Sequence, residues 1–279
     1  MSFQKIKLLA LDLDGTTLKS DTTLSPKVES ALKTAVENNI IVVAASGRPY
    51  GSMPDYVLDI DGVDYAITSN GSAVYDKHGK RIHSQLISEE DVLKFLEATQ
   101  NYDLILEAFI KGDTFSDSRY VNNPVKYGCP PAYFDYVQSS RGHVDNMREF
   151  IYEHRSQLDS IEYVCTDKVL RDLAKTNIVK STDGFFITSS SENFVEFSAK
   201  TATKANATEY VCKLLGIDRQ NTSACGNADN DVDMIRWAGL GAAVKNASSL
   251  CLECADLVVA SNNDDGVAEL VQHILKLNG

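Results

Sequence analysis

The chain has no uninterrupted apolar stretch long enough to span a bilayer, no block of lysine and arginine, and no paired set of cysteines. The first absence excludes a transmembrane helix, which needs about 20 consecutive apolar residues. The second, in a chain of net charge −12, excludes nucleic acid or an anionic membrane as the main partner. The third matters because the six cysteines (Cys129, Cys165, Cys212, Cys225, Cys251, Cys254) are scattered, as reduced thiols are. Cys251-x-x-Cys254 has the spacing of half a metal site, but no second pair accompanies it. These two read as small apolar helix residues, not zinc ligands. The start, MSFQKIKLLALDLDG, does not read as a signal peptide, since its apolar run ends in carboxylates without a small-residue cleavage site. Together these features point to the cytoplasm. Internal repeats and low-complexity segments are also missing.

What is present is an ordinary globular composition, 43% hydrophobic and 24% charged over 279 residues, enough for one large or two modest domains. Its most informative string is LALDLDGTTL at positions 9–18. An apolar run delivers Asp12 and Asp14 into a turn at Gly15, and two carboxylates so placed are costly unless something cationic or reactive meets them. An Asp can attack phosphorus, and a pair of them can hold a hard divalent cation. A plain strand end with an Asx turn is the blander alternative.

The N-terminal third alternates buried strands (KIKLLALDL, IIVVAAS, YAITSN) with helical patterns, among them Pro26 to Asn38, capped by Ser25. Such a rhythm predicts a parallel sheet covered on both faces. From Ala73 a hairpin around Lys77–Lys80 is expected, then a helix opened by Ser88. Residues 104–198 mix strands (LILEAFI, IEYVCT, FFITSS, NFVEFS) with helices near 144–158 and 167–176. After Ser198 the first rhythm returns, with helices at 203–215, 229–238, 247–254 and 265–277 around TSACG, GAAVK and DLVVA. The predicted fold is therefore α/β, a Rossmann-like doubly wound parallel sheet formed by residues 1–84 and 198–279, interrupted by an inserted α+β domain at 85–197.

In open parallel sheets ligands bind beyond the carboxyl ends of the strands. Asp12 and Asp14 follow the first strand, Ser46-Gly47-Arg48 the second, Ser69-Asn70-Gly71 the third, and Gly226 to Asp231 the strand TSACG. Singly, Ser46 reads as a helix cap, Arg48 and Lys204 as surface charges, and Asn70-Gly71 as a turn. Their shared placement points to one site.

The ordered motifs DLDGTTL, ASGR, Lys204 opening a helix, and GNADNDVDMI resemble the haloacid dehalogenase superfamily of phosphatases. SNG after the third strand and SNNDDGVAELV near the end resemble its Cof-type branch, which carries a large α/β cap. The resemblance implies Asp12 as the nucleophile that forms an aspartyl phosphate and Asp14 as general acid and base. It implies Ser46 and Lys204 as phosphate binders, with Gly47, Arg48, Asn70 and Asn230 as further substrate contacts. Magnesium would lie between the Asp12 side chain, the Asp14 main-chain carbonyl and the acidic loop, represented here by Asn227 and Asp231. A small phosphorylated metabolite, most simply a sugar phosphate, is the implied substrate, and the cap would close over it. His83, Glu107, Tyr120, Tyr127 and Arg141 are candidate cap contacts. Nothing in the sequence fixes the oligomeric state.

The chain departs from the family pattern at Asn227, where an Asp ligates the metal, and at Ala205, where Gly is usual. An amide oxygen brings no charge, so metal affinity should fall, and Asp229 offers partial compensation. Two rival readings stand beside this one: a non-catalytic or weakly active regulatory protein that binds a phosphorylated ligand, and a phosphotransferase or sugar-phosphate mutase.

Overall fold

A computed structural model describes residues 5–60, 62–131, 134–189 and 192–279. The first residues of the N-terminal segment, 1–4, and the last residue of FFITSS, Ser190, lie outside this set. The first strands are β1 (Leu8–Leu11), β2 (Ile41–Ala45), β3 (Val63–Thr68), β4 (Ala73–Asp76) and β5 (Arg81–Ser84), with helices α1 (Pro26–Glu37) and α2 (Asp55–Leu58) among them. Then come α3 (Glu89–Ala98), β6 (Ile105–Ile110), β7 (Asp113–Asp117), α4 (Ser118–Asn122), α5 (Phe134–Ser140) and β8 (Arg141–Val144). They are followed by α6 (Met147–Glu153), β9 (Leu158–Val164), α7 (Lys168–Ser181), β10 (Phe185–Thr188) and β11 (Phe194–Ala199). The last part holds α8 (Lys204–Leu215), β12 (Thr222–Gly226), α9 (Val232–Trp237), β13 (Leu240–Val244), α10 (Ser249–Cys254), β14 (Leu257–Val259) and α11 (Gly266–Asn278).

Over the described residues the chain divides into two compact units. One takes the chain up to Ser46, Met53–His83 and Thr203–Gly279; the other takes Gly47–Ser52 and Ser84–Ala202. The return to the first unit falls later than position 198 because β11 stays paired to β10 and β9 through Ala199 and Ser198. Gly47–Ser52 groups with the second unit, where Gly51 N donates to Gly112 O at 2.8 Å.

The first unit is built on an eight-stranded sheet in the order β14-β13-β12-β1-β2-β3-β4-β5. All pairs from β14 to β3 are parallel, and β4 runs antiparallel to β3. Leu8, Leu9, Ala10 and Leu11 of β1 are all buried, as a central strand covered on both faces requires. Chain order proceeds outward from β1 through β2 and β3 on one side, and from β12 through β13 and β14 on the other. β1 and β12 therefore flank the point where the winding reverses, which is where such sheets bind ligands. The start of α1 follows its sequence signals, with the Ser25 hydroxyl accepting from Val28 N and Pro26 in the first turn.

The second unit is an α+β layer pair. Its six-stranded sheet runs β10-β11-β9-β6-β7-β8, antiparallel except for the β7–β8 pair. Leu106, Ala108 and Ile110 of β6 pack with Phe95 of α3, Ile151 of α6 and Ile178 of α7. The alternate residue Ile105 packs with Tyr120 and Val137 on the other face. The helix expected near 144–158 is shorter, Met147–Glu153, because the chain spends Arg141–Val144 on β8 and enters β9 at Leu158. The helix expected at 167–176 instead continues to Ser181.

Candidate active site

β1 ends at Leu11, and Asp12 N then donates to Cys225 O of β12, so the chain leaves the sheet at the reversal point. Three bonds shape the turn that follows: Thr17 Oγ1 donates to Asp12 O at 2.6 Å, Asn246 Nδ2 to Gly15 O at 2.9 Å, and Asn262 Nδ2 to Leu18 O at 2.9 Å. Gly15 has φ +78°, and a Cβ there would fall 2.5 Å from the Asn227 side-chain amide. Only glycine fits this turn without strain.

Lys204 is the first residue of α8, where a positive charge opposes the helix dipole, yet it is only 1% exposed. Two carboxylates hold it there. Its Nζ lies 2.8 Å from Asp12 Oδ1 and 2.6 Å from Asp231 Oδ1. Asp231 Oδ2 accepts from the backbone N–H groups of Asn227 and Ala228, both at 3.0 Å. Asp12 is buried, and burial followed by the Asp231 charge pushes its carboxyl up to about 7, against the pull of Lys204 and Thr16. Lys204 is held protonated by the two carboxylates against its own burial.

Asn70 is buried with φ 56°, in a turn that brings Gly71 (φ +106°) against the Thr203 carbonyl, where a Cβ would sit 2.2 Å from the oxygen. The Asn70 Oδ1 accepts from Asn230 Nδ2 at 2.8 Å, and Asn70 N donates to Ser46 O at 3.1 Å. Ser46 is buried, with its N–H on Ile67 O. The first unit thus gathers Asp12, Ser46, Asn70, Lys204, Asn227, Asn230 and Asp231 at the carboxyl ends of β1, β2, β3 and β12, linked by bonds in two groups. Asp14, next in the β1 turn, is exposed. Gly47 and Arg48 belong to the stretch that groups with the second unit, where Arg48 Nη1 donates to Ser52 O at 3.2 Å.

The carboxamide of Asn227 faces Thr16 Oγ1, Asp12 Oδ2 and Asp14 O, each 3.0 Å away. A carboxylate and a carbonyl oxygen accept only, so the amide nitrogen is the end that belongs there. With the amide turned over, its oxygen would join the other two, three oxygens converging as a hard divalent cation requires. The donor set therefore fits magnesium, through Asp12, the Asp14 carbonyl and Asn227. No cluster of three or more His, Cys, Asp or Glu side chains suited to a metal occurs among the described residues, so the fit leans on neutral oxygens. Both oxygens of Asp231, the other expected metal ligand, are bonded to Lys204 and to the backbone N–H groups of Asn227 and Ala228. Asp229 is exposed and accepts from Ser248 Oγ at 2.7 Å.

Sequence reasoning missed Thr16, Thr17, Asn246 and Asn262. The Thr pair was visible in DLDGTTL, and both asparagines follow strand ends, as Asn70 does.

The candidate cap residues have other surroundings. Glu107 is fully buried, opposite Glu162 on β9, which in turn stands opposite Glu196 on β11. Arg141 Nε lies 3.3 Å from Glu107 Oε1, and Thr188 Oγ1 donates to Glu196 Oε2 at 3.1 Å. Burial, then Glu107 and Glu196, raises Glu162 well above the usual carboxyl range. Tyr120 is buried between Tyr127 and Phe194, each met edge-on. His83 belongs to the first unit, stacked on Tyr210 with ring centroids 4.0 Å apart. Cys251 is buried with Val232, Ile235 and Ala243, and Cys254 packs beside that cluster.

The pattern of the haloacid dehalogenase-like hydrolases matches residues 9–271, and the chain belongs to that family, in its Cof-type branch. Phosphatase YwpJ of Bacillus subtilis is 26% identical, over 97% of this chain and all of its own length. YcsE of the same organism, a 5-amino-6-(5-phospho-D-ribitylamino)uracil phosphatase, is also 26% identical, over 96% of this chain and 95% of its own. Among solved structures, the HAD subclass IIB sugar phosphatase BT4131 superposes with a TM-score of 0.83 at 20% identity, covering 97% of this chain and 99% of that one. The enzyme is a phosphatase.

Proposed function

We propose that this phosphatase hydrolyses a small soluble phosphomonoester, a sugar phosphate or related metabolite, through an aspartyl phosphate on Asp12. The observation that carries this reading is Lys204 Nζ, buried and bonded at once to Asp12 and Asp231. An ammonium fixed beside a buried carboxylate offsets the charge that an incoming phosphoryl group adds. In the first step an Asp12 oxygen bonds to phosphorus as the bond from phosphorus to the ester oxygen breaks, and Asp14 gives that oxygen a proton. In the second, Asp14 takes a proton from water, the water oxygen bonds to phosphorus, and Asp12 is released with inorganic phosphate. The exposure of Asp14 suits a group that trades protons with both ester and water.

Ser46 and Lys204 are the proposed donors to the phosphoryl oxygens, with Asn70 and Asn230 as further contacts. Asp12, the Asp14 carbonyl and Asn227 would hold magnesium, whose charge offsets the repulsion between carboxylate and phosphate when it is bound. The names of YcsE and BT4131 favour a polyhydroxylated leaving group. Among the described residues no helix is long and apolar enough to cross a membrane. We read the protein as cytoplasmic from its acidic charge and its six free cysteines.

The test is phosphate release from a panel of sugar and sugar-alcohol phosphates, with magnesium and with chelator. At least one ester should turn over with magnesium, and Asp12→Asn should lower that rate by about 10⁴-fold or more. Turnover untouched by Asp12→Asn, or none with any ester, overturns the proposal. An isomeric sugar phosphate in place of free phosphate would mark a mutase.

A further inference from the structure

Asn227 stands where the family pattern has an acidic residue, and its carboxamide is not idle. With its nitrogen turned to that side, as two acceptor-only neighbours require, the carboxamide donates at 3.0 Å to Asp12 Oδ2 and to the Asp14 carbonyl, two of the oxygens assigned above to the cation. The third contact at that distance, Thr16 Oγ1, can accept or donate. An amide offers two N–H groups, enough for both acceptor-only oxygens. The remaining Asp12 oxygen is taken by Lys204. Every Asp12 oxygen therefore has a donor supplied by the protein itself. An aspartate at position 227 would put a third carboxylate beside Asp12 and Asp231, facing two acceptors with no proton to give.

We infer that the Asn227 amide is a built-in substitute for the cation, holding the β1 turn and Asp12 in their working arrangement while no metal is bound. Metal entry then requires the amide to turn over, exchanging two hydrogen bonds for one oxygen ligand. The site is assembled before the cation arrives, at the expense of cation affinity. This rests on the assignment of Asp12 and the Asp14 carbonyl as cation ligands, but not on turnover of any ester.

The experiment compares the full-length protein with Asn227→Asp and Asn227→Ala, without substrate, by thermal melting in EDTA and in magnesium and by calorimetric titration with magnesium chloride. The parent should melt at nearly the same temperature in both buffers. Asn227→Asp should melt several degrees lower in EDTA, recover in magnesium, and bind magnesium about tenfold more tightly or better, as an added ligand charge dictates. Asn227→Ala should also melt lower in EDTA but gain neither recovery nor affinity. If Asn227→Asp matches the parent in EDTA, or its magnesium affinity is unchanged, the inference is overturned even where the parent hydrolyses esters. If Asn227→Asp folds in neither buffer, an Asn227→Ala protein that melts like the parent in EDTA overturns it as well. The expected melting and titration pattern in a protein that hydrolyses no ester would uphold the inference while the phosphatase mechanism fell.

Discussion

Each unit of the chain buries acidic side chains in a group, and the two groups are served by different donors. In the first unit two carboxylates, Asp12 and Asp231, share one ammonium, and backbone N–H groups and an amide serve the oxygens left over. In the second, three glutamates (Glu107, Glu162 and Glu196) lie in one row across adjacent strands, with the Arg141 guanidinium at Glu107 and the Thr188 hydroxyl at Glu196. Glu107 Oε2 and Ser116 Oγ, neighbours in register, are buried without a hydrogen-bond partner among the described residues. Burial, then the neighbouring Glu107 and Glu196, raises the Glu162 carboxyl well above the ordinary range. The lesson is that burial of carboxylates is not itself the mark of a reactive site. Burial raises a carboxyl in both groups, and what differs is that the first group holds each Asp12 oxygen against a fixed donor, whereas in the second an oxygen of Glu107 has none among the described residues.

The sharpest way to break this contrast is Lys204→Met. It strands two buried carboxylates, and stability should fall by about 3–5 kcal/mol, read from urea unfolding, with phosphate release lost as well. Arg141→Leu removes the guanidinium beside Glu107, which strands one buried carboxyl where Lys204→Met strands two. A smaller loss of about 2 kcal/mol is expected from the same unfolding measurement. Glu162→Gln should have the smallest effect and the opposite sign. Because Glu162 binds its proton more tightly folded than unfolded, folding takes up a proton, and stability contributed there is lost as pH rises above the ordinary value of 4.5. The variant should therefore be more stable than the parent at pH 8 and equal to it below pH 4.5. Equal stability at both would show that Glu162 is ionised in the folded chain.

The first group was legible in the sequence because each member ends an apolar run. Asp12 after LLAL and the Gly226–Asp231 loop after TSAC announce a strand terminus, and the sheet brings the termini together. Lys204 was legible only through the family pattern, since a lysine opening a helix is otherwise an ordinary surface residue. The glutamate row was not legible. In LILEAFI the glutamate reads as the solvent side of an alternating strand, and register against Glu162 and Glu196 is a property of pairing that no single strand encodes. The strands Asp113–Asp117 (DTFSD) and Arg141–Val144 (RGHV) were missed for a related reason. They carry little apolar signal and are strands because β6 offers a partner to one and that one to the other. Short helices such as Ser118–Asn122 escape periodicity because they complete barely one turn. The orientation of the Asn227 amide depends on three oxygens brought together by folding, and no spacing rule could have supplied it.

The ion triad also sets a timetable for synthesis. Asp12 leaves the ribosome well before its partners, since Lys204 lies 192 positions downstream and Asp231 a further 27, while β1 needs β12 as its second neighbour. A nascent chain reaching only Ala202 already holds every residue of the second unit, whereas the first still lacks three of its eight strands. Asp12 must wait, without its counter-ion, while the whole of the second unit is made.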